Sequence, residues 1–262
     1  MEDARKNGVV VVVAAGNAGE DTAEYYPSSL DGVICVAATS WDDMQPTFSN
    51  FGENVDLAAP GVEILSLRAR GTDTNLSTAT GQGYKKGMAI VGKDKKYYYG
   101  SGTSLAAPFV TAAAAMLIGQ NSKLTPEQVE HILVYSARDV QMPGWDAASG
   151  TGCLDVKSAL ETSPDYFYTV RIGGMAPEGD KMQVGGTADG SDFKKYTLEM
   201  GHGKMPKEFR VVKESNKPVE NGLLGELNQR DFNKGGMWTI RLVVHEKSGK
   251  KREHRKFLNL GG

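Results

Sequence analysis

Five consecutive valines, Val9 to Val13, are the feature that most restricts the fold of this 262-residue chain. A second continuous apolar run, Val33 to Ala37, follows further along. Apolar runs without polar interruption are typical of strands covered on both faces, as in the parallel sheets of α/β proteins. The first part of the chain is therefore predicted to be an α/β domain.

The net charge and the pattern of apolar and polar residues both change near residue 163. Residues 1–163 carry 12 Lys and Arg against 19 Asp and Glu, whereas residues 164–262 carry 18 against 13. In the second part, apolar residues alternate with polar ones, so that one strand face is shared by Trp238, Ile240, Leu242 and Val244. We predict two domains, 1–163 and 164–262, the second an all-β sandwich of immunoglobulin or fibronectin type.

Two helices are predicted in the first part. Thr125 offers a capping hydroxyl, a proline follows it and Gln128 stands three residues on, so a helix should span Pro126 to Ser136. The uncharged, alanine-rich segment Ala106 to Ile118 predicts a helix buried on all sides, with Pro108 near its start.

The second part contains several predicted strands, with turns at Asn221-Gly222 and Ser248-Gly249. The candidates are Tyr166 to Ile172, Tyr196 to Met200, Phe209 to Val212, Met237 to His245 and Arg255 to Leu260. The stretch from Arg68 to Gly100 fits two β-ribbons joined at Gly92 to Asp94. It is either a surface insertion that borders a functional site or a plain structural insertion.

Composition excludes several classes of protein. A net charge of −2 and 40% hydrophobic residues are ordinary for a soluble globular chain, and no apolar run reaches the length of a membrane span. The basic run Lys247 to Lys256 is interpreted as a solvated hairpin, not as a nucleic-acid site. Cys35 and Cys153 are predicted to be buried free thiols, without a disulfide or a metal. No signal peptide is visible at the start of the sequence.

Ser104 is the first candidate for chemistry. It lies in the stretch Gly102 to Pro108, which delivers a serine to the first turn of the predicted buried helix. At the start of a helix, unpaired N–H groups and the helix dipole stabilise developing negative charge. A nucleophilic serine requires such stabilisation. The alternative is that Thr103 or Ser104 only caps the helix.

Asn17 is the second candidate, because it follows the valine run in the stretch Ala14-Ala15-Gly16-Asn17. Functional groups in α/β sheets gather beyond the carboxyl ends of strands, where an asparagine N–H can stabilise an oxyanion. Alone, such a stretch also fits a simple turn.

Taken together and in this order, these stretches resemble the subtilisin-like serine peptidases over residues 8–160. The resemblance extends through Tyr26 to Ser29, Val33 to Ala38, Phe48 to Gly52, Val55 to Gly61 and Gly150 to Asp155. It implies a partial three-layer α/β fold with a mainly parallel sheet. It also implies that Ser104 is the catalytic serine and Asn17 the oxyanion asparagine, with Ala14, Ala15 and Gly16 forming a wall of the substrate side-chain pocket. A polypeptide substrate and a secreted or cell-surface location are implied as well.

The sequence departs from the family pattern before Asn17. The family places its catalytic Asp and His ahead of the serine, yet no histidine precedes Ser104, and Asp3 lacks the expected glycine-containing context. The later pair His202-Gly203 is interpreted as coincidental. The chain is therefore expected either to be the C-terminal part of a longer peptidase, whose missing segment supplies Asp and His, or to be a homologue that lost its base.

Two functions follow from these expectations. The first is a serine endopeptidase acting through an acyl-enzyme on Ser104, with the 262-residue chain inactive by itself. The second is a non-catalytic subtilisin-like scaffold or binding module. No cofactor is identified; the family resemblance allows calcium, but no site can be assigned. The sequence does not define the preferred substrate side chain.

Overall fold

The computed structural model describes residues 1–68, 90–91, 96–204, 206–232 and 235–260. These residues form two compact units, 1–142 with 146–164, and 143–145 with 165–262. The sequence predicts a domain boundary after residue 163. The compact units instead divide after residue 164, and the segment Pro143–Trp145 is grouped with the second unit.

The first unit combines helices with short strands. In chain order the elements are α1 (Glu2–Lys6), β1 (Val12–Ala14), β2 (Ile34–Thr39), β3 (Leu57–Pro60), β4 (Ile64–Leu67), β5 (Ile90–Val91), β6 (Tyr97–Gly100), α2 (Thr103–Gln120), α3 (Pro126–Ser136) and α4 (Val156–Glu161).

The central sheet of the first unit has the order β1-β2-β3 and is parallel throughout, with Val12 opposite Ile34 and Val36 opposite Leu57. Its apolar residues pack with α2, α3 and α4 in one hydrophobic cluster. Every residue of β2 is buried, as the continuous apolar run predicts. Among the described strands, parallel pairing is confined to this sheet, and the other strand pairs are antiparallel. The expectation of a mainly parallel sheet therefore holds for this sheet alone within the described residues.

The valine run is less regular than predicted. The strand begins only at Val12, and Val9 is half exposed. Val10 and Val12 pack against one hydrophobic cluster, and Val11 and Val13 belong to another. Coverage on both faces is therefore confirmed for Val10 to Val13, and the expectation was wrong at Val9. The two cysteines, in contrast, are free and buried as predicted.

The second helix, α2, is not buried on all sides. One face, including Ala106, Val110 and Leu117, lies in the core, whereas Phe109 and Met116 are 41% and 50% exposed. The prediction was wrong because the central sheet, α3 and α4 together cover only part of the helix surface. This helix is long and apolar enough to cross a membrane by length and composition, a test that a core helix also passes.

The third helix, α3, confirms its predicted bounds and cap. Thr125 Oγ1 accepts the Gln128 N–H at 3.3 Å, and Gln128 Oε1 accepts the Thr125 N–H at 3.0 Å. This reciprocal pair satisfies N–H groups that the first helical turn would otherwise leave unpaired.

The remaining strands of the first unit form a ribbon of order β4-β6-β5. Both pairings are antiparallel, with Leu67 and Val91 each opposite Tyr97. The connection predicted at Gly92 to Asp94 lies outside the described residues.

The second unit is built from antiparallel strands. They are β7 (Tyr168–Glu178), β8 (Lys181–Gly190), β9 (Phe193–His202), β10 (Arg210–Ser215), β11 (Val219–Asn228), β12 (Gly236–Glu246) and β13 (Lys251–Leu260). The strands form two sheets of order β10-β9-β12-β13 and β11-β8-β7. Both sheets contribute to one hydrophobic cluster, in which the alternating residues Trp238, Ile240, Leu242 and Val244 are buried as predicted.

Sequence patterns missed part of this unit. Strands β8 and β11 were not among the predicted strands, and Asn221-Gly222, predicted as a turn, lies inside β11 at a shift of register. Asn221 has a positive φ of 45°, so the pair bends the strand without ending it. The Ser248-Gly249 turn does connect β12 and β13. Assignment of the unit to the immunoglobulin type stays a prediction.

Candidate active site

Ser104 lies in the first turn of α2, with an exposed side chain. The preceding loop is tied to the carboxyl end of the central sheet, because the Gly102 N–H donates to the Gly61 carbonyl at 2.8 Å. Among the described residues, no hydrogen-bond partner is found for Ser104 Oγ. The hydroxyl is thus presented to solvent at the positive end of an uncharged helix.

The structure brings Asn17 to this helix start. Asn17 Oδ1 accepts both the Thr103 N–H at 2.8 Å and the Thr103 hydroxyl at 3.0 Å. Because a backbone N–H can only donate, the atom that faces it must be the amide oxygen. The Nδ2 group of Asn17 is consequently left to donate elsewhere, next to the residue that precedes Ser104.

The buried hydroxyl of Thr103 also contacts the neighbouring turn. It lies 3.2 Å from the Gly16 carbonyl and accepts the Gly16 N–H at 3.2 Å. Its single hydrogen can be donated to Gly16 or to Asn17, but not to both at once. Thr103 therefore joins the two candidate stretches of the sequence.

Asn50 fixes the turn that carries Asn17. Its buried side chain accepts the N–H groups of Ala18 at 2.9 Å and Glu20 at 3.1 Å, and donates to the Ala15 carbonyl at 3.1 Å. Gly16 has φ +111°, and a Cβ there would lie 2.4 Å from Asn50 Nδ2. A side chain at position 16 would displace this asparagine.

The predicted pocket-wall residues lie at the end of β1 and in the turn that follows. Ala14 is half buried opposite Val36, and Ala15 is fully buried with its N–H donated to the Val36 carbonyl. Gly16 links them to Thr103. Their position next to Asn17 is a finding, whereas their contact with a substrate side chain stays a prediction.

Three ionisable groups of the first unit have shifted pKa values that bear on their chemistry. The Tyr25 hydroxyl donates to Glu20, and this bond raises the pKa of Tyr25 above its ordinary value. Asp56, which precedes β3, accepts the Cys35 N–H at 2.7 Å, and burial raises the pKa of its carboxyl to about 7. Burial likewise raises the pKa of the Cys35 thiol to about 12, so this thiol is a poor nucleophile.

The four histidines have other contacts. His131 lies in α3 and stacks on Tyr135 with ring centroids 5.3 Å apart. In the second unit, His202 Nε2 lies 3.2 Å from the Gly235 carbonyl and His245 Nε2 lies 3.4 Å from Thr197 Oγ1. His254 Nδ1 accepts the Ile172 N–H at 3.1 Å. Within the described residues, none of these rings is hydrogen-bonded to Ser104.

The described parts of the chain contain no cluster of three or more His, Cys, Asp or Glu side chains that could hold a metal ion. The calcium site that the family resemblance allows is therefore still without assigned ligands.

Ser104 and Asn17 are candidates from the sequence, whereas Thr103 and Asn50, which connect and support the two stretches, are not. Thr103 was considered only as a helix cap, and Asn50 only as part of a matching stretch. Asparagine is rarely buried without partners, so its position between Phe48 and Phe51 was the available signal.

Comparison with known proteins identifies the family of this chain. The profile of the subtilase family matches residues 1–152, and the chain belongs to that family. The cell wall-associated protease of Bacillus subtilis is 35% identical over 178 residues, which cover 59% of this chain and 17% of that protein. Fervidolysin of Fervidobacterium pennivorans is 34% identical, with coverage of 60% and 22%.

The chain thus spans about a fifth of the length of these curated relatives. A third relative, the extracellular basic protease of Dichelobacter nodosus, is 33% identical over 58% of this chain and 23% of its own. Among solved structures, a lanthipeptide protease matches 61% of this chain and 52% of its own, at 29% identity and a TM-score of 0.51. The fold of the matched region is subtilisin-like.

Proposed function

We propose that this chain carries the nucleophile and the oxyanion-binding group of a serine endopeptidase. The supporting observation is the hydrogen bond from the Thr103 N–H to Asn17 Oδ1 at 2.8 Å, which leaves the Asn17 N–H groups beside the start of α2. Membership of the subtilase family supports the same reaction.

In the proposed reaction, Ser104 Oγ attacks the carbonyl carbon of a peptide bond while a base takes its proton. The Asn17 Nδ2 group and the unpaired N–H groups of the first helical turn stabilise the negative oxygen. The C–N bond then breaks, the proton passes to the leaving amine, and an acyl-enzyme remains on Ser104. Water hydrolyses this ester and restores the serine.

The base and its orienting carboxylate are proposed to come from outside residues 1–262, either in a longer polypeptide or in a separate one. The sequence has no histidine before Ser104, and a serine hydroxyl is a weak nucleophile until a base removes its proton. The chain alone is therefore expected to show no appreciable turnover.

Casein hydrolysis and labelling by a fluorophosphonate test this proposal. Residues 1–262 alone should be inactive, whereas fusion to an N-terminal segment with the family's Asp and His motifs should produce hydrolysis that Ser104→Ala abolishes. In the fusion, Asn17→Ala should lower kcat by about 10²- to 10³-fold, the loss measured for the oxyanion asparagine of subtilisin itself.

Two results would contradict the proposal. Cleavage by the unfused chain that depends on Ser104 would place the base within residues 1–262. A folded fusion that neither labels nor cleaves would favour the alternative function, a non-catalytic scaffold or binding module.

The remaining properties follow from the family. The substrate is a polypeptide, and the location is secreted or at the cell surface, as the names of the Bacillus and Dichelobacter relatives indicate for those proteins. The second unit is proposed to be a β-sandwich of immunoglobulin or fibronectin type.

A further inference from the structure

Tyr25 lies beside the predicted pocket wall, next to Asn17. A Cβ at Gly16 would lie 3.4 Å from Tyr25 Cδ1, so the aromatic ring adjoins the glycine that precedes Asn17. The hydroxyl at the far end of the ring donates to the Glu20 carboxylate. The half-buried ring therefore extends from the wall at Gly16 to the negative charge of Glu20.

Asn50 holds the wall and the segment of Glu20 in one arrangement. Its side chain donates to the Ala15 carbonyl at 3.1 Å and accepts the Glu20 N–H at 3.1 Å. A single buried side chain thus fixes both the backbone of the wall and the backbone that carries the acidic group.

The Glu20 carboxylate is open to a positively charged group. Its side chain is exposed, and within the described parts of the chain it forms no ion pair with a lysine or an arginine. The hydrogen bond to Glu20, together with the nearby charge of Glu24, raises the pKa of Tyr25. Asp21 is bound differently, because its carboxylate accepts the Ala23 N–H at 2.9 Å at the start of a short helix.

We propose that Glu20 and Tyr25 select an arginine or a lysine immediately before the scissile bond of the polypeptide substrate. The methylene groups of such a side chain pack along the uncharged wall and the Tyr25 ring, and its charged end binds Glu20. A cation beside a tyrosine ring is attracted by the ring face as well. A hydrogen bond between opposite charges is also stronger than one between neutral groups. The inference rests on the proposed function, because it names the substrate of the same site.

The fusion to an N-terminal segment with the Asp and His motifs provides the test. Its substrates are a pair of fluorogenic peptides that differ only in the residue before the scissile bond, which is arginine in one and citrulline, the neutral isostere, in the other. We expect kcat/KM to be about tenfold higher for the arginine peptide. Glu20→Gln, which keeps an acceptor for the Tyr25 hydroxyl, should bring the two values together.

Glu161→Gln is the matched control, because Glu161 is an exposed glutamate at the end of α4 in the same unit. It should leave the preference for arginine unchanged. Glu20→Lys is the second variant and should make citrulline the better substrate. Both peptides are hydrolysed by the same preparation, so their ratio does not depend on how much of a variant is folded.

Three results would overturn the inference. One is equal kcat/KM for the two peptides in the unsubstituted fusion, and another is a preference for arginine that persists in Glu20→Gln. In both cases, labelling of Ser104 by the fluorophosphonate would leave the proposed function intact. The third is a folded fusion that neither labels nor cleaves, which would reject the proposed function and the inference together.

Discussion

Asn50 shows how much of the candidate site depends on one buried amide. Its side chain pairs with Ala15, Ala18 and Glu20, on both sides of Asn17. Removal of this side chain would leave one buried carbonyl and two part-buried N–H groups without their partner. Loss of a buried partner costs about 1–3 kcal/mol, and loss at a part-buried group costs less.

Asn50→Ala is therefore expected to lower the free energy of unfolding by roughly 2–4 kcal/mol, measured by urea titration with circular dichroism. Asn54→Ala is the control, because Asn54 makes one longer bond, 3.4 Å to the Ser29 carbonyl. Equal stability of the two variants would show that the turn does not depend on Asn50.

Some residues of the candidate site can be predicted from the sequence, and others cannot. Ser104 and Asn17 stand in recognisable stretches, at a helix start and after a strand. The bonds that join them connect positions 86 apart in the chain, from Thr103 to Asn17. No local pattern encodes such a contact, so Thr103 and Asn50 could be assigned only from the fold.

At the scale of elements, the cap of α3 permits a direct measurement. Thr125→Ala removes the hydroxyl that accepts the Gln128 N–H, and loss of such a cap costs about 1 kcal/mol. Thr111→Ala is the matched control, since its exposed hydroxyl bonds only to the Ala107 carbonyl of its own helix. A urea midpoint for Thr125→Ala equal to that of the control would contradict a stabilising role for the cap.

Elements defined by local signals were predicted well, and those that depend on neighbours were not. The bounds of α3 follow from Thr125, Pro126 and Gln128 alone. The exposure of α2 depends instead on how many neighbouring elements pack against it. That number cannot be predicted from the alanine-rich sequence of the helix itself. Likewise, Asn221-Gly222 has the composition of a turn, but pairing with β8 keeps it inside a strand.

At the scale of the whole molecule, the two units should respond to pH in opposite directions. Burial raises the pKa of Asp56 in the first unit from 3.8 to about 7, so the folded state favours the protonated carboxyl. Stability from this group is full at acidic pH and is lost as the pH rises towards 7.

In the second unit, burial lowers the pKa of His254 from 6.5 to about 4, so the folded state favours the neutral ring, whose Nδ1 accepts the Ile172 N–H. Stability from His254 is present above pH 6.5 and is lost as the pH falls towards 4. The difference corresponds to about 3 kcal/mol.

Calorimetry between pH 4 and pH 7 should therefore show two unfolding transitions. As the pH rises, the unfolding temperature of the first unit should fall and that of the second unit should rise. Asp56→Asn should reduce the pH dependence of the first unit's unfolding temperature. His254→Asn, which retains a hydrogen-bond acceptor, should reduce the pH dependence of the second unit's unfolding temperature. Unfolding temperatures that shift in the same direction with pH, or a pH dependence that neither substitution changes, would contradict the prediction.

The short segment Pro143–Trp145 also bears on the order of folding. Trp145 lies against His254 with ring centroids 5.9 Å apart, and Gly144, at φ +85°, approaches β13 so closely that a Cβ would lie 1.6 Å from the Glu253 carbonyl oxygen. The ribosome completes this segment long before it makes β13. During synthesis, the contact between Trp145 and His254 can therefore form only after β13 has been made. Because this contact closes a loop of about 110 residues, it is expected to form late in folding.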